Sequence, residues 1–216
     1  MKFSGELHEV KLINFSIDKE ELKGHLPKQL KVVDYAGRAL ISMVDVHLKK
    51  MEMHRFLPSF AYRHVAFRLL IDDGEYSKLG PKGIYFLQSF SSNPLMVLGG
   101  NWVANYNLTL AKIEQNNNVF ALRQSGKFLN YTFDPYVAAA QNENLYTAVK
   151  RIDRAYSFAE DAVSITQITR REWPIEVLSV KDFSTNFFAS AKLEGAFSVQ
   201  KTIPYIWEQP VKIKYN

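Results

Sequence analysis

His64 and Arg68 are the two side chains in this sequence with the clearest potential for binding chemistry. They lie four residues apart in residues 61–71, which are predicted to form a β-strand, so both point to the same face. If that face lines the interior of a barrel, the pair makes a cationic site suited to a carboxylate ligand. If it faces water, the pair belongs to a salt-bridge ladder on the outside of the sheet.

Lys112 is a second candidate, because a lysine buried in an apolar setting can be activated to form a Schiff base. It ends a predicted strand in which Leu108 and Leu110 occupy the alternate, apolar positions. A lysine that continues this face would be buried. The commoner arrangement is a lysine that extends from the strand end to water, and we keep both alternatives.

Metal and cofactor chemistry has little support in the sequence. There are no cysteines, and no two of the five histidines form an HxxxH or HxH pair. The nucleophile elbow, the phosphate-binding loop and the dinucleotide-binding glycine motif are also missing from the sequence. We therefore expect no metal site and no cofactor.

The elements that must position these side chains are mostly short β-strands. Strands are predicted at residues 7–17, 31–34, 38–48, 61–71, 84–91, 102–113, 119–124, 127–133, 162–169, 176–183 and 196–200. Helices are predicted at 18–26 and 143–156, and Asn93 and Pro94 are placed to cap and begin a third, short one. This series predicts an α+β, mostly β fold, in which an antiparallel sheet closes into a barrel or double sheet.

Composition limits the classes of protein. The chain has 216 residues, 47% of them hydrophobic and 23% charged, which predicts a single domain over residues 1–216. The net charge is +5, but lysines and arginines are scattered, so we expect no nucleic-acid partner. Neither a signal peptide nor an apolar run of membrane-spanning length is visible, so we expect a cytoplasmic protein without membrane contact. Exposed sheet edges favour a homo-oligomer.

Three stretches, in order, carry a family resemblance. They are Leu26-Pro27-Lys28-Gln29-Leu30, then Gly80-Pro81-Lys82-Gly83-Ile84-Tyr85-Phe86 after Phe67-Arg68, then Arg170-Arg171-Glu172-Trp173-Pro174-Ile175. With them the chain resembles the acetoacetate-decarboxylase-like superfamily. It is more similar to the uncharacterised YqjF-like bacterial branch than to the decarboxylases themselves.

The resemblance implies a conical β-barrel or double sheet with an internal cavity. In the decarboxylases, a lysine in that cavity forms a Schiff base with a β-keto acid. This lysine and a neighbouring lysine lie in a Tyr-Pro-Lys-Lys-Leu-Gly stretch. The counterpart here is residues 93–99, in which Leu95 and Met96 replace both lysines. An acidic residue of the family's cavity falls on Ile41. The resemblance therefore implies a shared cavity without the shared reaction.

We accordingly expect a protein that binds a small apolar or carboxylated ligand in an interior cavity, with no catalytic residue assigned. The ligand-binding candidates are Arg68, His64, Glu172, Leu95 and Met96. Glu172 and Trp173 could instead belong to a bulged strand end whose Trp fills the core. The alternative function is an enzyme on the same fold that acts on small organic acids with a different residue, such as Lys112 or a Glu–His pair.

Overall fold

The structure is a computed structural model that describes residues 2–52, 59–76, 82–98, 108–134, 142–170 and 173–215. Its strands are β1 Phe3–Ile17, β2 Asp34–Tyr35, β3 Arg38–Glu52, β4 Phe60–Ile71, β5 Gly83–Ser91, β6 Leu108–Leu110, β7 Lys112–Asn116, β8 Val119–Gln124, β9 Lys127–Asp134, β10 Arg154–Phe158, β11 Ala162–Arg170, β12 Glu176–Thr185, β13 Lys192–Val199, β14 Ile203–Trp207 and β15 Val211–Lys214. The helical elements are a 3₁₀ turn at Lys19–Leu22, a short helix at 94–98 and α1 at Glu143–Lys150.

Seven strands curl into a ring. Starting at β1, the pairing runs through β3, β4, β5, β10, β11 and β14, and β14 pairs with β1 again. Most neighbours are antiparallel, but β10 runs parallel to β5, so the sheet is mixed rather than wholly antiparallel. The mostly β architecture predicted from the sequence is confirmed.

The same sheet continues into a second layer. β13 pairs with the second half of β1, and β12, β9, β8 and β7 continue from it in antiparallel order. Alternate residues of the ring strands face this layer: Val65, Phe67 and Leu69 of β4 share a core with Phe120 and Tyr131. The intervening positions of β4 face the inside of the ring.

The inside of the ring has its own apolar core. Leu40, Val44, Val46 and Leu48 share one face of β3, and that face points inward. The side chains of α1 pack into the same core, because Leu145 and Val149 lie on one side of the helix. Asn142 caps the start of the helix: its side-chain oxygen accepts a hydrogen bond from the Leu145 amide at 3.1 Å.

Several predicted boundaries were wrong. The helix predicted at 143–156 ends at Lys150, because Tyr156 belongs to β10 and packs in the other core. The helix predicted at 18–26 is a single 3₁₀ turn. The short helix at 94–98 is confirmed, with the Asn93 side chain accepting from the Leu95 amide at 3.0 Å. Of the strand predicted at 102–113, residues 102–107 lie outside the described part of the chain.

The two last strands were missed, although β14 completes the ring and β15 extends β11. Both strands are short; Pro204 interrupts the first and Pro210 directly precedes the second, which hides the alternation.

Candidate functional site

The inside of the ring contains a cavity with a mostly apolar wall. Its volume is about 80 Å³. That is room for a small organic molecule rather than a large cofactor. The apolar wall consists of Leu7, Val10, Val44, Val46, Leu48, Ile84, Phe86, Val149, Ile152 and Ile168. The aromatic and polar wall consists of Tyr62, His64, Arg68, Arg170, Trp173, Tyr205 and Trp207.

Arg68 is held against this wall by the neighbouring strand. It lies opposite Ser42 in the β3–β4 register. Its Nε donates to the Ser42 carbonyl oxygen at 3.1 Å and its Nη2 to the Ser42 hydroxyl at 2.8 Å. Burial, and to a lesser extent the charge of Arg170, lowers the pKa of Arg68 to about 9. Arg68 is still charged at neutral pH and is costly to bury.

Arg170 is the second guanidinium of the cavity. It lies at the end of β11, where Ile168 and Arg170 are alternate, inward-facing positions. Its guanidinium carbon is 4.5 Å from the centroid of the Trp173 ring, and Nη2 donates to the Ile152 carbonyl oxygen. Burial lowers the pKa of Arg170 to about 10, against the opposing effect of Asp153.

His64 lies in the same cavity as Arg68, as the inward-facing alternative required. Burial, helped by the charge of Arg68, lowers the pKa of His64 to about 4. The imidazole is therefore neutral at physiological pH. The positive charge that we expected from His64 and Arg68 comes instead from Arg68 and Arg170.

The charges on the described wall do not balance. None of the described residues that line the cavity carries a carboxylate, and none is a lysine. The Trp173 indole nitrogen is buried and has no hydrogen-bond partner among the described residues. Two guanidiniums and an unused N–H donor, set in an apolar wall, match an anion that accepts hydrogen bonds.

Three other predicted positions do not line this cavity. Leu95 is 79% exposed, while Met96 is partly buried against the inner core without reaching the described cavity wall. Ile41 packs in the core between the ring and the second layer, on the face of β3 opposite the cavity. Glu172 lies outside the described residues.

The buried-lysine alternative for Lys112 is wrong. The side chain of Lys112 is 67% exposed, and its ammonium group lies 2.9 Å from the Glu114 carboxylate. The predicted continuous strand is broken at Ala111, so the face that carries Leu108 does not continue to Lys112.

Sequence reasoning assigned no binding role to Arg170 or Trp173. The alternation of Ile168 and Arg170 along β11 was the available signal, and it required knowing which face of β11 is inside.

Elsewhere in the described residues, no group of three or more histidine, aspartate or glutamate side chains is arranged to hold a metal. Among the described helices, none has the length and apolarity needed to cross a membrane.

The ring, its second layer and its internal cavity define an acetoacetate-decarboxylase-like fold. The acetoacetate decarboxylase of Legionella pneumophila subsp. pneumophila strain Philadelphia 1 matches with a TM-score of 0.62 at 11% identity, over 100% of this chain and 88% of that one. An acetoacetate decarboxylase-like enzyme from Sphingomonas wittichii RW1 matches with a TM-score of 0.64 at 10% identity, over 99% and 93%. The enduracididine biosynthesis enzyme MppR, complexed with pyruvate, matches with a TM-score of 0.53 at 12% identity, over 98% and 89%.

At these identities the similarity establishes the fold alone. The family is established by the sequence: residues 5–209 match DUF2071, described as an uncharacterized conserved protein (COG2071), and the chain belongs to that family. No curated protein matches the chain.

Proposed function

We propose that this protein binds a small carboxylate in the ring cavity, without Schiff-base decarboxylase activity. The observation that carries the proposal is the pair Arg68 and Arg170, one buried and one partly buried guanidinium on a described wall that lacks a carboxylate. A buried charge is costly unless it is paired, and a bound carboxylate would supply the opposite charge that Arg68 lacks among its described partners. An arginine also offers a carboxylate two parallel N–H donors.

Two further observations support the proposal. The MppR structure, which shares the fold, is complexed with pyruvate, a small carboxylate. The described wall contains no lysine, and the positions that resemble the decarboxylase lysine pair are Leu95 and Met96. The described part of the wall therefore offers no amine to form the imine on which that decarboxylation depends.

Calorimetric titration with an isosteric pair tests the binding. We expect 3-methylbutanoate to bind and its neutral amide to bind at least about tenfold more weakly, since only the acid has the charge. Arg68→Met removes one guanidinium and should abolish the preference for the acid. Lys112→Met is the matched control, because it removes an exposed cation away from the cavity. Equal affinity for acid and amide would refute the proposal.

Borohydride reduction in the presence of acetoacetate or pyruvate tests the missing chemistry. We expect intact-mass spectrometry to show no covalent adduct. In a parallel assay without borohydride, we expect acetoacetate to decarboxylate no faster with the protein than in buffer alone. An adduct that peptide mapping places on any lysine would show that Schiff-base chemistry is retained, and would support the alternative of an enzyme acting on small organic acids.

A further inference from the structure

Resting on the proposed carboxylate site, we infer that the ligand is a compact hydrophobic monocarboxylate. One end of such a molecule is a single carboxylate and the rest is hydrocarbon. The inference concerns which carboxylates the cavity selects, and it follows from how unevenly donors and apolar atoms are distributed on the wall.

The donor groups belong to a few residues. Arg68 uses Nε and Nη2 on Ser42, and within the described residues no hydrogen bond takes up Nη1. The indole N–H of Trp173, a residue only 7% exposed, is likewise without a described partner. Both residues line the same cavity, whose described wall has no carboxylate to compete for these donors.

The two arginines are not equivalent. Arg170 already has three described partners: the Ile152 carbonyl, the face of Trp173 and the opposite charge of Asp153. The two described hydrogen bonds of Arg68 end on neutral oxygens of Ser42, so its charge is the less compensated of the two. One uncompensated cation matches one negative charge on the ligand.

Apart from the polar groups of Tyr62, His64, Arg170, Tyr205 and Trp207, the rest of the wall is apolar. Residues from four strands and from the end of α1 contribute to this apolar part: Leu7 and Val10 of β1, Val44, Val46 and Leu48 of β3, Ile84 and Phe86 of β5, Ile168 of β11, and Val149 and Ile152 at the end of α1. A second carboxylate or a hydroxyl group placed against these side chains would lose its water without gaining a partner. A hydrocarbon body would instead gain from each methylene that it buries.

A panel of sodium salts, titrated calorimetrically into the intact protein, tests this inference. We expect affinity to rise about fourfold for each added methylene from propanoate through butanoate to pentanoate, until the cavity is filled. Succinate, which adds a second charge to butanoate, and 3-hydroxybutanoate should each bind at least about tenfold more weakly than butanoate.

Trp173→Phe tests the donor end separately, because it keeps an aromatic ring and removes the N–H. We expect it to weaken butanoate binding about fivefold or more and to leave the fourfold increment per methylene unchanged. Tyr131→Phe is the control, because it removes another buried donor without a described partner, in the core on the other side of the sheet. If Tyr131→Phe weakens butanoate binding as much, the assigned role of the Trp173 N–H is wrong.

The outcomes separate the two proposals. Failure of every carboxylate to bind would overturn both the site and its ligand class. Binding of succinate or 3-hydroxybutanoate as tightly as butanoate, with Arg68→Met still disruptive, would overturn only the hydrophobic ligand class and leave the carboxylate site standing.

Discussion

Arg68 on β4 is fixed by Ser42 on β3 through two hydrogen bonds, one to the carbonyl oxygen at 3.1 Å and one to the hydroxyl at 2.8 Å. Both acceptors are neutral, so they orient the guanidinium without cancelling its charge. This relationship between two directly paired residues gives the cavity an oriented, buried cation. Four measurements follow from it and from its surroundings.

Ser42→Ala should weaken both the fold and the site. The substitution removes the hydroxyl acceptor of Arg68 Nη2, and a buried donor left without a partner costs about 1–3 kcal/mol in the free energy of unfolding. Urea denaturation measures that loss, and titration with 3-methylbutanoate should show weaker binding. Ser198→Ala is the control, since Ser198 is similarly buried but does not line the cavity. Unchanged affinity in Ser42→Ala would mean that Ser42 does not position Arg68.

Arg68→Met should separate stability from binding. Replacing an uncompensated buried charge by an apolar side chain of similar length removes a desolvation cost, so we expect the ligand-free variant to be at least as stable as the parent. The rise in melting temperature that 3-methylbutanoate causes in the parent should disappear. A variant markedly less stable than the parent would indicate that Arg68 serves the fold rather than a ligand.

His64 should make the fold sensitive to mild acid. Its pKa is lowered to about 4 in the folded protein, from the ordinary value of 6.5. Between those values the unfolded chain binds a proton that the folded chain does not, so stability is lost as pH falls from about 6.5 to 4, by about 3 kcal/mol in total. The free energy of unfolding, measured by urea denaturation at several pH values in this window, should fall less with pH in His64→Gln than in the parent. His25→Gln, at an exposed position, should behave like the parent.

The Asp45–Arg63 ion pair should hold the second layer on the ring. Arg63 meets the Asp45 carboxylate at 2.6 and 2.7 Å and also donates to Gln115 of β7 at 2.8 Å. Arg63→Met leaves Asp45 buried without its partner and should cost about 3–5 kcal/mol in the free energy of unfolding. The double variant with Asp45→Leu should regain most of that loss. Simple additivity of the two single losses would show that the pair is not coupled.

Much of the fold was accessible from local sequence pattern. Alternation of apolar residues predicted β3, β4 and β8 nearly as they stand, because strand side chains alternate between faces whatever the strand pairs with. The helix predicted at 143–156 was too long for the same local reason. The helical spacing of apolar residues continues to Tyr156, but the residues of β10 pair with β5 and β11 instead, so the helix ends earlier. Pairing partners distant in the chain leave no local signal.

The sequence by itself determined that the protein is mostly β and that His64 and Arg68 share one face of a strand. It also determined that Leu95 and Met96 stand where the decarboxylases that it resembles have their lysine pair. These depend on residue identity and a period of two. Only the tertiary structure decided that the shared face is the inside of the ring, that Arg170 and Trp173 join it from β11 and the segment after it, and that Lys112 faces water. The physical reason is that inside and outside exist only after β14 returns to β1 and closes the sheet.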